Sequence, residues 1–209
     1  MDLLTEQLNR EDAMENKTFK FINTLYVIMI TNIMAVIFLA LGLLSFSLVP
    51  VIFTVIEIMK ELIDGELDGY SGIIKYFSSK IFTNIKKYKK EEIITGIYTL
   101  ILIIAIFMLK RVNHPFATSL NILFMYIFAM ISIYWGFYAL INVVQDKNYK
   151  YLNVLGVMFK NPKILLISVL LFIILIFVGI AMKEFLVLFS FSLYGFLFIK
   201  MNYRLENNI

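Results

Sequence analysis

The chain has 209 residues, of which 61% are hydrophobic and 16% are charged, and it carries a formal net charge of +4. Its mean hydropathy of +0.85 excludes a water-soluble globular domain, so we predict an all-α, polytopic membrane protein. The lack of cysteine excludes disulfides and thiolate metal sites, and the single histidine, His114, cannot form a zinc site alone.

The first twenty residues mix both charge signs and contain no apolar run, so they are predicted to form a cytoplasmic tail and not a cleaved signal peptide. The spacing of Leu3, Leu4 and Leu8 suits a short surface helix there. Residues 21–199 are predicted to form a single transmembrane domain, followed by a cytoplasmic tail over residues 200–209.

Five apolar segments approach the roughly 20 residues that a helix needs to cross a hydrocarbon core of about 30 Å. Lipid offers the backbone no hydrogen-bond partners, so each segment is predicted to be helical. A tight turn at Lys183 and Glu184 joins the last two. The five predicted spans are residues 21–46, 93–109, 117–144, 164–182 and 185–199.

A sixth, shorter candidate covers residues 48–63 and has Pro50 in its first turn, where the missing N–H costs nothing. Glu57, Lys60 and Glu61 make its second half amphipathic, so a re-entrant or interfacial helix is the alternative to a crossing. If it crosses, both termini are cytoplasmic and 16 of the 19 Lys and Arg lie inside. A five-span arrangement with the N-terminus outside leaves 13 inside, so the charges favour six helices.

Two amphipathic segments are predicted to be elbow helices on the cytoplasmic side, at residues 70–90 and, more weakly, at residues 149–163. The first is expected to lie flat on the anionic leaflet, with an apolar stripe facing the lipid and with Ser, Asn and Lys opposite. The stripe consists of Tyr70, Ile73, Ile74, Phe77, Ile81, Ile85 and Tyr88.

Two polar side chains within apolar segments are candidate functional residues. Asn32 lies in the middle of the first span, so its amide is expected either to hydrogen-bond to another helix or to contact a substrate. Glu57 is a carboxylate well inside an apolar stretch, which makes it a candidate for cation binding or proton relay. The alternative for Glu57 is an ion pair with Lys60, three residues along the same helix.

Two further groups are candidates for contacts with partners or ligands. The first group either docks a soluble partner, such as an ATPase subunit, or acts only as a topology determinant; it consists of Lys86, Lys87, Lys89 and Lys90. The second is an aromatic face that either stacks on a sugar ring or packs against neighbouring helices; it consists of Tyr126, Tyr134, Trp135 and Tyr138.

Several features together resemble the YesL-like family of bacterial membrane proteins, a domain of unknown function. They are Asn32 and Gly42 in the first span, the helix led by Pro50, KELIDGE at 60–66, YFSSKIFTNIKKYKK at 76–90 and FKNPK at 159–163. The resemblance runs from about Phe19 to Ile199. The sequence departs from the family pattern at 50–54, where PVIFT replaces the usual Pro-Ala-Thr run, and near Phe77, where the family usually has Trp.

The resemblance implies a link to sugar uptake, because family members are commonly encoded beside carbohydrate ABC transporters and polysaccharide-degrading enzymes. The excess of Ile, Lys and Asn is typical of an AT-rich bacterial genome, which favours the bacterial cytoplasmic membrane. The sequence has no zincin, P-loop or Rossmann motif. We therefore predict a non-enzymatic protein, without cofactor, metal or nucleic acid.

The predicted function is that of an accessory, regulatory or assembly component in carbohydrate ABC-transporter uptake. Its predicted partners are the lipid bilayer, the transporter subunits and further copies of itself. Two alternatives remain open: a small oligomeric channel or carrier, and an immunity-type membrane protein against a membrane-active peptide.

Overall fold

The computed structural model describes residues 2–42, 46–67, 72–144 and 162–206, together with Val154 and Gly156. This part of the chain is helical throughout and contains no strand, which confirms the all-α fold class. We number its helices α1 (Asp2–Leu41), α2 (Leu48–Asp64), α3 (Ile73–Lys87), α4 (Lys89–Leu109), α5 (Pro115–Val144), α6 (Pro162–Ala181) and α7 (Lys183–Glu206).

Three segments of these helices are long and apolar enough to cross a membrane. They are Thr18–Leu41, Lys89–Leu109 and Pro115–Val144, and a shorter apolar helical segment covers Leu188–Met201. These spans support a membrane protein by length and composition, within the residues described. The count of six crossings is not confirmed and stays a prediction.

Helix α1 differs from its predicted layout at both ends. It runs unbroken from Asp2 through the predicted tail, because no Gly or Pro interrupts residues 2–41. It ends at Leu41, five residues before the predicted boundary. A Cβ atom at Gly42 would overlap the side chain of Ser47, so only glycine allows this close approach.

Helix α2 is the central element and contacts α1, α3, α4, α5 and α7. Pro50 lies in its first turn, as predicted, and ten of its 17 residues are buried. It ends at Gly65, whose φ of +78° places it in the left-handed region that favours glycine. A helix of this length extends about 26 Å, slightly less than the hydrocarbon core.

Helix α3 confirms the predicted amphipathic helix but not its orientation. Ile73, Phe77 and Ile81 are buried, and α3 packs against α1 and α2, with the rings of Phe38 and Phe77 5.8 Å apart. Most of the stripe therefore packs inside the protein, and the prediction that it faces lipid was wrong. Burial against two neighbouring helices removes the same apolar area from water as lipid would. Tyr70 and nearly all of residues 149–163 lie outside the described residues.

The last two helices are tightly joined, but the break falls at Met182, and Lys183 and Glu184, the predicted turn residues, lie in α7. Only Met182 separates α6 from α7, and its N–H donates to the carbonyl of Val178 at 2.8 Å. Helix α6 packs against α7, which in turn packs against α1 and α2. Gly195 of α7 faces Met59 and Val55 of α2, and a Cβ at Gly195 would lie 3.6 Å from Met59 Cγ.

Candidate functional site

A polar cluster joins α2 to α3 along an antiparallel register. Near one end, Asn84 Nδ2 donates hydrogen bonds to Thr54 Oγ1 at 3.0 Å and to Glu57 Oε2 at 3.1 Å. One turn further along each helix, Lys80 forms an ion pair and hydrogen bond with Glu61. Beyond it, Tyr76 Oη donates to Glu61 Oε2 at 2.7 Å. The contacts thus follow i, i+3 and i+7 positions on α2 and i, i+4 and i+8 positions on α3.

The cation that Glu57 faces is Lys80 of α3, with Nζ 3.8 Å from Glu57 Oε2. The predicted pair with Lys60 was wrong, because Lys60 Nζ instead donates to the backbone carbonyl of Val143 at 2.9 Å. That carbonyl is one of the last in α5, where helical carbonyls lack intrahelical partners and favour a cation. Lys60 therefore ties α2 to the C-terminal end of α5.

The electrostatics of the cluster follow from its mixed charges. Burial lowers the pKa of Lys80, but the hydrogen bond that Lys80 donates to Glu61 and the charges of Glu61 and Glu57 outweigh it, so the net pKa is raised. Burial and the hydrogen bond to Glu61 raise the pKa of Tyr76. Burial, followed by the nearby charges of Glu57 and Glu91, raises the pKa of Tyr88. Lys80 therefore stays cationic and both tyrosines stay neutral near pH 7.

This arrangement joins two helices and offers no free base or ligand set. The two carboxylates, Glu57 and Glu61, share the cation of Lys80, and each also accepts a hydrogen bond from an uncharged side chain. Within the residues described, no group of three or more His, Cys, Asp or Glu could hold a metal ion. The geometry supports a structural contact between α2 and α3.

Asn32 makes the interhelical hydrogen bond that its position predicted. Its Oδ1 accepts from the backbone N–H groups of Phe191 at 2.8 Å and Ser192 at 3.0 Å, both in α7. The residue is fully buried. The alternative role, contact with a substrate, stays untested.

The four candidate lysines are exposed at the junction of α3 and α4, where Tyr88 separates the two helices. Lys87 Nζ lies 5.0 Å from the centroid of the Tyr88 ring, a cation–π contact. The exposure of the four lysines allows contact with lipid headgroups or with a partner protein. They are Lys86, Lys87, Lys89 and Lys90.

The aromatic face is divided between two environments. Trp135 and Tyr138 are buried, and their rings lie 5.4 Å apart in an edge-to-face contact. Tyr134 lies against both. Tyr126 is 62% exposed, two turns nearer the start of α5. The buried members form a packing cluster, so the four rings do not present one surface to a sugar.

The α3 side of the polar cluster was missed at the sequence level, where Asn was assigned to the polar face. Asn84 in fact continues the buried stripe, because Phe77, Ile81, Asn84 and Tyr88 follow i, i+4, i+7 and i+11 spacing. That spacing was available as a signal for Asn84. The pairing of Lys80 and Tyr76 with α2 had no such signal, because it depends on how α3 folds back.

Comparisons with known proteins add no relative to this geometry. No family model, no curated protein and no solved structure matches the chain.

Proposed function

We propose that this protein is a non-catalytic, YesL-like component of the bacterial cytoplasmic membrane that acts with a carbohydrate ABC transporter in its assembly, stability or regulation. The observation that carries this proposal is the engagement of the charged residues of α2 within the chain. Glu57 and Glu61 face Lys80, and Lys60 binds the end of α5. These side chains hold helices of the same chain together. In this proposal the protein therefore functions through contacts with other proteins.

The exposed surface supplies candidate contacts for such a partner. The four lysines at the α3–α4 junction provide a basic patch on the side that the charge distribution assigns to the cytoplasm. In this proposal they face the transporter's ATPase subunit or the anionic headgroups beside it. Six membrane crossings with both termini cytoplasmic complete the arrangement.

The crossings are tested by the location of the N-terminus, which is cytoplasmic with six spans and external with five. An epitope tag before residue 2 should resist protease added to intact spheroplasts and become cleavable after lysis. Cleavage in intact spheroplasts would establish the external N-terminus and reject six crossings.

The proposed partnership is tested by affinity purification of the tagged chain in mild detergent, with mass spectrometry of the recovered proteins. Permease or ATPase subunits of a carbohydrate transporter are expected to co-purify. Replacing the four lysines, Lys86, Lys87, Lys89 and Lys90, with Ala should reduce ATPase recovery. The matched control is Lys110→Ala with Arg111→Ala, which removes exposed charge from the other end of α4. Recovery of this chain alone would reject the proposal.

A second candidate is a small oligomeric channel or carrier. The observation that favours it is a group of fully buried polar residues in the first span and α7, namely Thr31, Asn32 and Ser192. Liposomes that contain only this protein should then leak a small polar solute. Glu57→Gln should abolish the flux if Glu57 carries it, whereas tight liposomes would reject this candidate.

A further inference from the structure

A polar seam lies between α1 and α7 around the Asn32 contact. Thr31 and Asn32 of α1 and Ser192 of α7 have no exposed surface, and Asn32 accepts the backbone N–H of Ser192. At 1.5 Å per residue, Thr31 lies about 20 Å from Thr18 and about 15 Å from Leu41 along α1. The seam is therefore near the middle of a candidate span.

Two hydroxyls in this seam lack hydrogen-bond partners. Thr31 Oγ1 and Ser192 Oγ are buried and bond to nothing among the residues that the structure describes. Several other helical hydroxyls bond to a carbonyl of their own helix four residues back, as in Thr54 to Pro50, Thr99 to Thr95 and Ser132 to Phe128. Thr31 and Ser192 lack this hydrogen bond to their own helix, so their hydroxyls are available to another partner.

A buried hydroxyl without a partner is unfavourable, and the penalty is larger where lipid surrounds the protein. Buried polar groups that lack protein partners are commonly satisfied by internal water, which needs two to four polar neighbours. Thr31 directly precedes Asn32 on α1, and Ser192 of α7 donates its backbone N–H to Asn32. This contact supplies polar atoms on both helices. We propose that water binds in this seam and hydrogen-bonds to Thr31 Oγ1 and Ser192 Oγ.

The seam has polar neighbours toward both ends of α1. Asn23 Oδ1 is buried without a partner among the described residues, about 12 Å before Thr31 along the helix. Ser47 Oγ, which directly precedes α2, is also buried without a partner among the described residues. Buried polar atoms thus lie toward both ends of the first span. We extend the proposal to water exchange between the seam and the aqueous phase.

This inference stands independently of the transporter partnership, since a hydrated seam exists with or without another protein. A hydrated seam is also a candidate conducting region, in a different part of the chain from Glu57. If this protein passes a small polar solute, the path lies along α1 and α7, away from the charged cluster around Glu57.

The first test measures thermal unfolding of the full chain in detergent for Thr31→Val and Ser192→Ala. Removing a hydrated hydroxyl costs its water contacts, so each variant should unfold at a lower temperature than wild type. Thr99→Val is the matched control, because Thr99 is equally buried and its hydroxyl is satisfied by its own helix. An unchanged or raised unfolding temperature for both seam variants would show dry, unsatisfied hydroxyls and overturn the proposal.

The second test uses the natural lack of cysteine. Thr31→Cys and Ser192→Cys are labelled in membranes with 2-aminoethyl methanethiosulfonate, which reacts with the thiolate that forms only in contact with water. Labelling should be about tenfold or more faster than for Ala35→Cys, which is buried on the same helix, or Ile37→Cys, which is exposed on the apolar surface. Labelling no faster than in these two controls would overturn water exchange.

Discussion

At the residue scale, polar side chains of this protein connect helices that are distant in sequence. Asn32 links α1 to α7, Asn84 links α3 to α2, and Lys60 links α2 to the end of α5. Each contact gives a backbone or carboxylate group of another helix a hydrogen-bond partner. In a membrane, where apolar burial does not favour one helix partner over another, such contacts help to select the packing.

Asn32→Leu should destabilise the folded protein by roughly 1–2 kcal/mol, because leucine cannot accept the two N–H groups of α7. The measurement is thermal unfolding in detergent. Equal stability of Asn32→Leu and wild type, with function retained, would remove Asn32 from both a structural and a substrate role.

Lys80→Met should destabilise by about 1 kcal/mol, because Glu57 and Glu61 lose the cation between them and repel each other across partly exposed surface. Glu57→Gln in the same chain should recover part of the loss. The wild type, the two single variants and the double variant form a cycle that yields the coupling energy. Lys86→Met, at an exposed position, should be neutral. Additive effects of Lys80 and Glu57 would show that the pair is not coupled.

The same cluster predicts a response to alkaline pH. Lys80 and Tyr76 have pKa values raised above their ordinary 10.5 and 10.0, so the folded state holds these protons more tightly than the unfolded state. Their contribution to stability is complete below about pH 10 and declines as the pH rises through the raised values. The stability gap between wild type and a Tyr76→Phe, Lys80→Met double variant should therefore narrow above pH 10. A stability difference between wild type and the double variant that grows above pH 10 would contradict this prediction.

At the element scale, local patterns predicted helices well and their partners poorly. The apolar runs and Pro50 located α2, α4 and α5 to within a few residues, because helix formation in lipid depends on the segment itself. The face that α3 buries was misassigned at Asn84, and the partner of Glu57 was expected on its own helix. Such contacts arise from chain reversals between helices, which periodicity along one helix does not encode.

Packing of α7 on α2 makes a prediction at this scale. Gly195→Ala should be tolerated, because its new Cβ would meet Met59, Val55 and Ile56 at ordinary contact distances of 3.6 to 3.9 Å. Gly195→Leu should destabilise by about 2 kcal/mol by pushing α7 away from α2. Gly136→Ala and Gly136→Leu are controls, since no atom lies within 4 Å of a Cβ placed at Gly136. Thermal unfolding of all four variants distinguishes the two sites.

At the scale of the whole molecule, composition alone predicted an all-helical membrane protein, because only lipid solvates a chain this apolar. The exposed faces of α4 and α5 carry large apolar side chains such as Tyr98, Phe107 and Phe116, as a lipid-facing surface requires. The charged cluster lies between α2 and α3 and is partly exposed. A molecule built in this way exposes its apolar helices and its basic junction.

The central proposal, participation in carbohydrate uptake through a transporter, is tested most directly by the uptake of radiolabelled sugars in a strain that lacks this protein. ATP-dependent uptake of at least one oligosaccharide should fall on deletion and return when the wild-type chain is supplied. Uptake that is unchanged for every transported sugar would contradict the proposal.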